Sequence, residues 1–425
     1  MGVIRQVRIC LLMIAFGMII TACGNQTIIG NSRPPLDVTP SKDEIVIWHT
    51  FGEYETQLFE NILIPLFEEK YPRINVKSVR QPYKDELKPA LISRASANKP
   101  PDIIRMDIVW IPSFAQLGLL HPVSEFDGFN ELKDQFYEEP LQSNYYNGKY
   151  YGVPLNTNTK ISIYNKELIE SSGENSPPET MVELIEMVES NQFVIGVDSL
   201  SIWATMHYFY GLGGTLTDPS YSKATGYLDS EKSISAVTKL LSLYQKGNLS
   251  VTGSSSSLWH QVIDGSYFAI DDGPWFYSVN SEEQIDYINE VTVSAPFPIS
   301  NGKRALLGGE NLVISKATKH KEAAWTFVKW MTSIEPQTYL AQTGLIPSNK
   351  YVELSGFYDQ YPYYQAYLDS LDDALLRPTV AQWWDVEEIY GKYFTLIFSE
   401  KISVEDGLAQ AAKEIDQILK NEEGR

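Results

Sequence analysis

The chain has 425 residues, too long for one ordinary domain of about 100–200, and its 43% hydrophobic and 21% charged content excludes wholesale disorder. Lys and Arg number 34 against 54 Asp and Glu, a net charge of −20, the wrong sign for a binder of nucleic-acid phosphates. Aromatics reach 12%, with 26 Tyr and 9 Trp, enough to furnish a binding site as well as a core.

At the N-terminus, Arg5 and Arg8 precede an apolar run from Ile9 to Ile20, the pattern of a secretory signal. The run is shorter than the roughly 20 residues that span a bilayer. It ends in Ile20-Thr21-Ala22-Cys23-Gly24, which resembles a bacterial lipobox. In that class of signal the Cys thiol receives a diacylglyceryl group and the chain is cut just before it. The alternative is an ordinary signal peptide with an incidental Cys. On the lipobox reading, residues 1–22 are removed, Cys10 with them, and Cys23 is the lipidation site. The mature chain then has no free thiol, no disulfide and no thiolate metal site. Losing two Arg and no acid takes the net charge to −22, so the lipid alone would hold the protein at an anionic membrane. Residues 23–43, with Asn, Thr, Ser, Gly and Pro, are expected to be a flexible tether.

The folded part opens with Glu44-Ile45-Val46-Ile47-Trp48-His49, a β-branched run that predicts a buried strand. Residues 56–71 have helical spacing, with Pro65 as a kink or break. Ile74-Asn75-Val76 is a second strand, 85–97 a helix and Ile103-Ile104-Arg105-Met106 a third strand. This alternation predicts a parallel sheet covered by helices. Ligands of such sheets sit beyond the C-terminal strand ends, here Trp48, His49, Asp107 and Trp110. The middle repeats the α/β character: strands at 161–164, 193–197 and 267–270, helices at 179–190, 201–210 and 230–244. The last third holds a strand at 311–314 and a helix at 321–331, then mostly helical periodicity to Lys420.

Several of these segments, in order, resemble the bacterial extracellular solute-binding proteins of sugar ABC transporters, of the maltose-binding-protein-like type. They include Trp48-His49, Tyr71-Pro72-Arg73-Ile74-Asn75-Val76, Tyr146-Asn147-Gly148-Lys149-Tyr150 with Gly152-Val153-Pro154, Asp272-Gly273-Pro274-Trp275, Gly308-Gly309-Glu310-Asn311 and Gly344-Leu345-Ile346-Pro347. The resemblance implies an α/β fold of two lobes, each a mostly parallel sheet flanked by helices, around a cleft. The chain would cross between lobes near 155–160, 298–304 and 346–354. Residues 44–157 and 302–348 would form the N-terminal lobe, and 158–301 and 349–425 the C-terminal lobe. It further implies a monomer that closes on a sugar, docks on transmembrane permease subunits of an importer, and needs no cofactor or metal.

A sugar presents ring faces and hydroxyls, which aromatic planes and carboxylates or amides answer. The resemblance makes Trp275 the first choice for a stacking platform and places one of Trp383 and Trp384 at the ligand; neighbours on a helix diverge by about 100°, so only one faces the cleft. It also points to Asp107, and to Asn156 and Asn158 on the first crossing, with an amide at 158 where a relative has an acid. Trp48, His49, Glu53, Trp110, Trp203, Asp271 and Glu310 complete the ligand-binding set; for His49 the alternative is a structural role at the strand end.

Two other classes stay open: a surface-anchored glycoside hydrolase and a receptor for a non-sugar solute on the same fold. Asp271-Asp272 is a poor catalytic dyad, because adjacent strand residues point to opposite faces. HExxH, GxSxG and a P-loop are absent from the sequence, and the five His lack metal-ligand spacing.

Overall fold

A computed structural model describes residues 42–83, 86–299, 305–354, 356 and 361–420. The signal, Cys23, nearly all of the tether and residues 300–304 of the second crossing lie outside the described residues.

Strand β1 (Asp43–His49) pairs in parallel with β2 (Ile74–Arg80) and β3 (Ile103–Asp107). Parallel neighbours need a crossover, and helices supply it. The first crossover is helical from Glu53 to Lys70, with a π turn at Phe59–Leu63. Pro65 lacks an N–H, and the ladder absorbs the loss by widening just before it: the Ile64 N–H donates to the Phe59 carbonyl. The predicted break is thus a local change of register inside a continuous helix.

A short hairpin, β4 (Tyr145–Tyr146) and β5 (Lys149–Tyr150), leads into β6 (Gly152–Asn158). The second sheet follows: β7 (Ile161–Asn165), β8 (Ile195–Val197), β9 (Leu249–Val251), β10 (Ala269–Asp272) and β11 (Thr292–Ala295), in the order β11-β7-β10-β8-β9. The chain then returns as β12 (Gly308–Ile314) and β13 (Ile346–Pro347), giving the first sheet the order β13-β6-β12-β3-β1-β2.

Both sheets are mixed. β12 is antiparallel to β3 and β6, β13 to β6, and β7 to β10 and β11. Strand–helix alternation foretold the parallel pairs and missed these. The antiparallel members are mostly strands that leave for, or arrive from, the other sheet. A strand reached that way needs no helical crossover within its own sheet, so nothing holds it to the parallel direction.

One core lies under the first sheet, where Ile45, Ile47, Leu312 and Ile314 meet Phe59, Phe67 and Phe327. Another lies against the second sheet, where Ile161, Ile163 and Ile270 meet Phe276, Tyr277, Tyr364 and Tyr367. The largest apolar cluster runs from Met106, Trp110 and Phe114 beside the first sheet into Val386, Tyr390 and Phe394 of the helix Trp383–Phe398. The two lobes therefore share packed surface on that side.

Candidate functional site

The C-terminal end of β3 and the start of β12 bring polar groups together on one sheet. Register places Glu310 opposite Asp107 on one side and Asn156 on the other. Arg105 reaches along the same strands: its Nη2 lies 2.8 Å from Glu310 Oε2 and donates to Asn156 Oδ1 at 3.1 Å, while Nη1 donates to Thr50 Oγ1 at 2.8 Å. The Asn156 amide closes the circuit by donating to Glu310 at 2.7 Å. Burial pushes the Glu310 carboxyl above its ordinary range, against the pull of Arg105, and nearby Asp107 adds to the rise. Asp107 caps the next turn through the Val109 N–H at 2.8 Å and accepts from the Tyr83 hydroxyl at 2.7 Å.

Trp203 and Trp275 form the aromatic part on the second lobe, with ring centroids 6.4 Å apart and planes 32° from parallel. Trp275 follows β10 and folds back on Gly273: a Cβ there would stand 2.3 Å from the indole. The turn is held by the Tyr367 hydroxyl, which donates to the Gly273 carbonyl at 2.7 Å. Trp203 opens the helix Ile202–Gly211 and reaches the first lobe at Gly308, where a Cβ would meet both the indole and the Asn158 amide. Glycine at 308 is therefore a packing requirement that lets Asn158 and Trp203 converge. Two cations lie over the Trp203 ring, Lys160 Nζ at 5.7 Å and Arg377 Cζ at 5.4 Å.

A second aromatic group spans the lobes. Tyr83 stacks on Trp110 at 5.9 Å and 12°, and Trp110 meets Trp384 edge-on at 6.1 Å. The Lys88 ammonium sits over Trp384 at 4.9 Å.

Four of the residues expected at the ligand are placed elsewhere. His49 is 1% exposed, inside the first core. The Ser78 hydroxyl gives its proton to Glu60, so His49 Nε2 donates to Ser78 Oγ at 2.7 Å, and Nδ1 accepts from the Phe51 N–H at 3.3 Å. Burial, then Arg105 and Arg80, hold its pKa down at about 3. The structural role at the strand end is the one it fills. Trp48 points to the opposite face of β1, as strand alternation requires, and packs under Arg94 at 4.9 Å. Asp271 is 1% exposed; it accepts from Lys160 Nζ at 2.6 Å and from the Tyr208 hydroxyl at 3.2 Å. Burial opposes its ionisation, but Lys160 and His207 overcome that and hold the carboxyl below its ordinary range. Trp383 is 3% exposed, its N–H on Glu387 at 2.9 Å, so of the two adjacent Trp it is Trp384 that borders open space. Glu53 keeps a place between the lobes: it is paired with Arg80 at the rim of an opening of about 480 Å³ between the loop after β1 and the 278–282 turn.

Residues 63–366 match the family model described as bacterial extracellular solute-binding protein. The chain belongs to that family. A Brucella abortus protein named as a binding protein is 24% identical over 402 residues, covering 91% of this chain and 96% of that one. A maltooligosaccharide ABC transporter solute-binding lipoprotein of Streptococcus pneumoniae is 28% identical over 220 residues, 48% of this chain and 50% of that one. The solved structure of maltose-bound MalE3 from T. maritima shares the two-lobed fold, with a TM-score of 0.76 at 24% identity over 88% of this chain and 99% of that one. As an extracellular solute-binding protein, the chain works outside the cytoplasm.

The sequence reading missed Tyr83, Lys88, Arg105, Arg377 and Glu387 of this solute-binding protein. Arg105 was visible as a lone charge inside an apolar strand, a position that requires a buried partner. Arg377, with its Nη1 3.2 Å from Glu387, stands in an aperiodic Leu-Arg-Pro stretch that gave no signal.

Proposed function

We propose that this chain captures an oligosaccharide in the cleft between its lobes and hands it to the transmembrane subunits of an ABC importer, without chemistry of its own. The observation that carries this is the Trp203–Trp275 pair beside the Asn158 amide, aromatic planes next to a hydrogen-bonding group at the junction of the lobes. Asp107, Asn158, Trp203, Trp275, Glu310 and Trp384 are the ligand-facing set, with Glu53 at the opening after β1, Asn156 buried beneath Glu310 as its hydrogen-bond donor, and Trp110 supporting Trp384 from behind.

A binding role suits the carboxylates better than a hydrolytic one. Glu310 is committed to Arg105 and Asn156, and Asp107 to Tyr83 and a backbone N–H. Neither is placed as an unencumbered acid or nucleophile. Hinge closure would act at the connections after Asn158, between Ala295 and Gly308, and after Pro347, where the chain passes between the sheets. Lobes assigned as 44–157 with 302–348 and 158–301 with 349–425 fit this, although Asn349 still bridges to Phe136 of the first lobe.

Cys23 is proposed as the lipidated N-terminus after removal of residues 1–22, holding a monomeric receptor at the outer face of the cytoplasmic membrane. The S. pneumoniae relative, itself named as a lipoprotein, supports that reading. Incubating the mature protein with oligosaccharides tests the function: binding without growth of reducing ends is expected. Reducing-end growth abolished by a single Asp or Glu substitution would make it a hydrolase.

A further inference from the structure

The second sheet has an open side. Its order puts β11 at one edge, and among the described residues β11 pairs with β7 alone. The hydrogen bonding of β7 shows which groups that edge presents. Neighbouring residues of an antiparallel strand turn their N–H and C=O to opposite sides. The Asn165 N–H donates to the Phe268 carbonyl at 2.9 Å, toward β10, so Tyr164 and Ser162 face β11. Val293 and Ala295 stand opposite those two and complete the pairs. Thr292 and Ser294 therefore turn outward. The Thr292 N–H is taken by the Ile288 carbonyl where the helix Glu282–Val291 ends. What the edge offers is the Ser294 N–H with the carbonyls of Ser294 and Thr292, the set that an incoming strand pairs with.

That edge lines a groove of about 580 Å³, with Val293–Phe297 as one wall and the loop Ser176–Thr180 as the other. Pro177, Pro178 and Phe297 give it apolar surface for the side chains on one face of an added strand. The same loop bounds a hollow of about 430 Å³ lined by Glu174, Glu183 and Glu186. These three and Glu179 are exposed. The charge here has one sign: residues 167–191 hold seven Glu, residues 281–299 three Glu and one Asp, and neither stretch has a Lys or Arg. Glu189 is neutralised by Lys239 and Lys246. Lys166, just before the first stretch, gives its ammonium to the Asn289 carbonyl at 2.6 Å. The other Glu around the groove keep their charge for a partner. Pairing β11 with β11 of a second copy would bring two such acidic surfaces together, and like charges across a contact oppose it.

We propose that the β11 edge is a docking site for an extended cationic peptide, which adds to the second sheet as a strand at Ser294 and sets its Lys or Arg side chains against Glu174, Glu179, Glu183 and Glu186. The site stands apart from the sugar reading, because none of the ligand-facing residues lines either hollow.

Fluorescence anisotropy on the mature chain tests it, with a labelled seven-residue peptide that alternates Lys and Val. A second peptide of the same sequence has every backbone nitrogen methylated, which keeps the charge and removes the strand's donors. The wild-type protein is expected to bind the plain peptide at least tenfold more tightly than the methylated one. Glu174→Lys/Glu186→Lys changes two exposed positions and is expected to keep the melting temperature while losing at least tenfold in affinity for the plain peptide. No binding of the plain peptide would overturn the proposal. Equal binding of the two peptides would also overturn it, showing adsorption by charge without strand pairing, as would a variant that binds like the wild type. Dimerisation in ultracentrifugation that excludes the peptide would give the edge to a second copy and overturn it too.

Discussion

Arg105 and Glu310 sit on neighbouring antiparallel strands with Nη2 and Oε2 2.8 Å apart, and the Arg105 side chain is only 4% exposed. The same guanidinium lies over the Phe51 ring at 4.5 Å and ties β3 to Thr50 and Asn156. It is thus both a strand-to-strand tie and the support for the polar floor of the cleft. Removing one partner of such a buried pair leaves the other charge without compensation, at a cost of about 3–5 kcal/mol. Arg105→Met should lower the urea midpoint accordingly, and Glu310→Gln, which strands the permanently charged guanidinium, should lower it by a comparable amount. A negligible loss in both variants would show that the pair does not hold the floor.

Lys160 and Asp271 are a second buried pair, and Lys160 lies on the first connection between the sheets, directly before β7. Lys160→Met alone should destabilise the protein by about 3–5 kcal/mol, because Asp271 keeps its charge in the interior. Adding Asp271→Leu should recover much of the loss, as judged by a double-mutant cycle on unfolding free energies. A double variant as weak as the sum of the singles would show that the two residues do not act as a pair.

Trp275 rests on Gly273 with no room for a methyl group between them. Trp275→Ala should weaken sugar binding by about 2–4 kcal/mol while the melting temperature of the free protein changes little. Gly273→Ala should weaken binding too, by displacing the indole. Full affinity in both variants would return Trp275 to a packing role.

His49 is neutral in the folded protein, with a pKa near 3 against an ordinary 6.5. Its folded value is depressed, so the unfolded chain takes up the proton first as pH falls. The contribution of His49 to stability is complete above pH 6.5 and is lost progressively from there down to about pH 3, up to roughly 5 kcal/mol in all. Melting curves between pH 7 and 4 should show this fall, and His49→Gln should flatten it. An unchanged slope in the variant would place the acid sensitivity elsewhere.

How much of this was legible beforehand depended on the range of the interaction. The parallel strands β1, β2 and β3 were visible because local periodicity marks each strand and each intervening helix. The antiparallel returns of β6, β12 and β13 were not, because what sets them is the passage of the chain between lobes, which leaves no local pattern. The same division runs through the site. Trp275 carries a local signature, an aromatic after a strand end and a Gly-Pro turn. Trp383 and Trp384 were separable only in principle, since helical geometry says one faces in without saying which. The core of the 383–398 helix decides it: Val386, Tyr390 and Phe394 define the buried face, and Trp383 falls on it. His49 and Asp271 looked like ligand-facing polar groups at strand ends, but Ser78 and Lys160, far away in sequence, had already taken their hydrogen-bonding capacity.

The central claim is that the protein binds an oligosaccharide in its folded form, and a thermal melt of the mature chain with each sugar of a mono- to heptasaccharide panel tests it most directly. A ligand that binds only the folded state at a hundredfold excess over its Kd adds about 2.7 kcal/mol, a rise of several degrees. The account predicts such a rise for at least one oligosaccharide, and its loss in Trp275→Ala. A melting temperature unmoved by every sugar in the panel would contradict it.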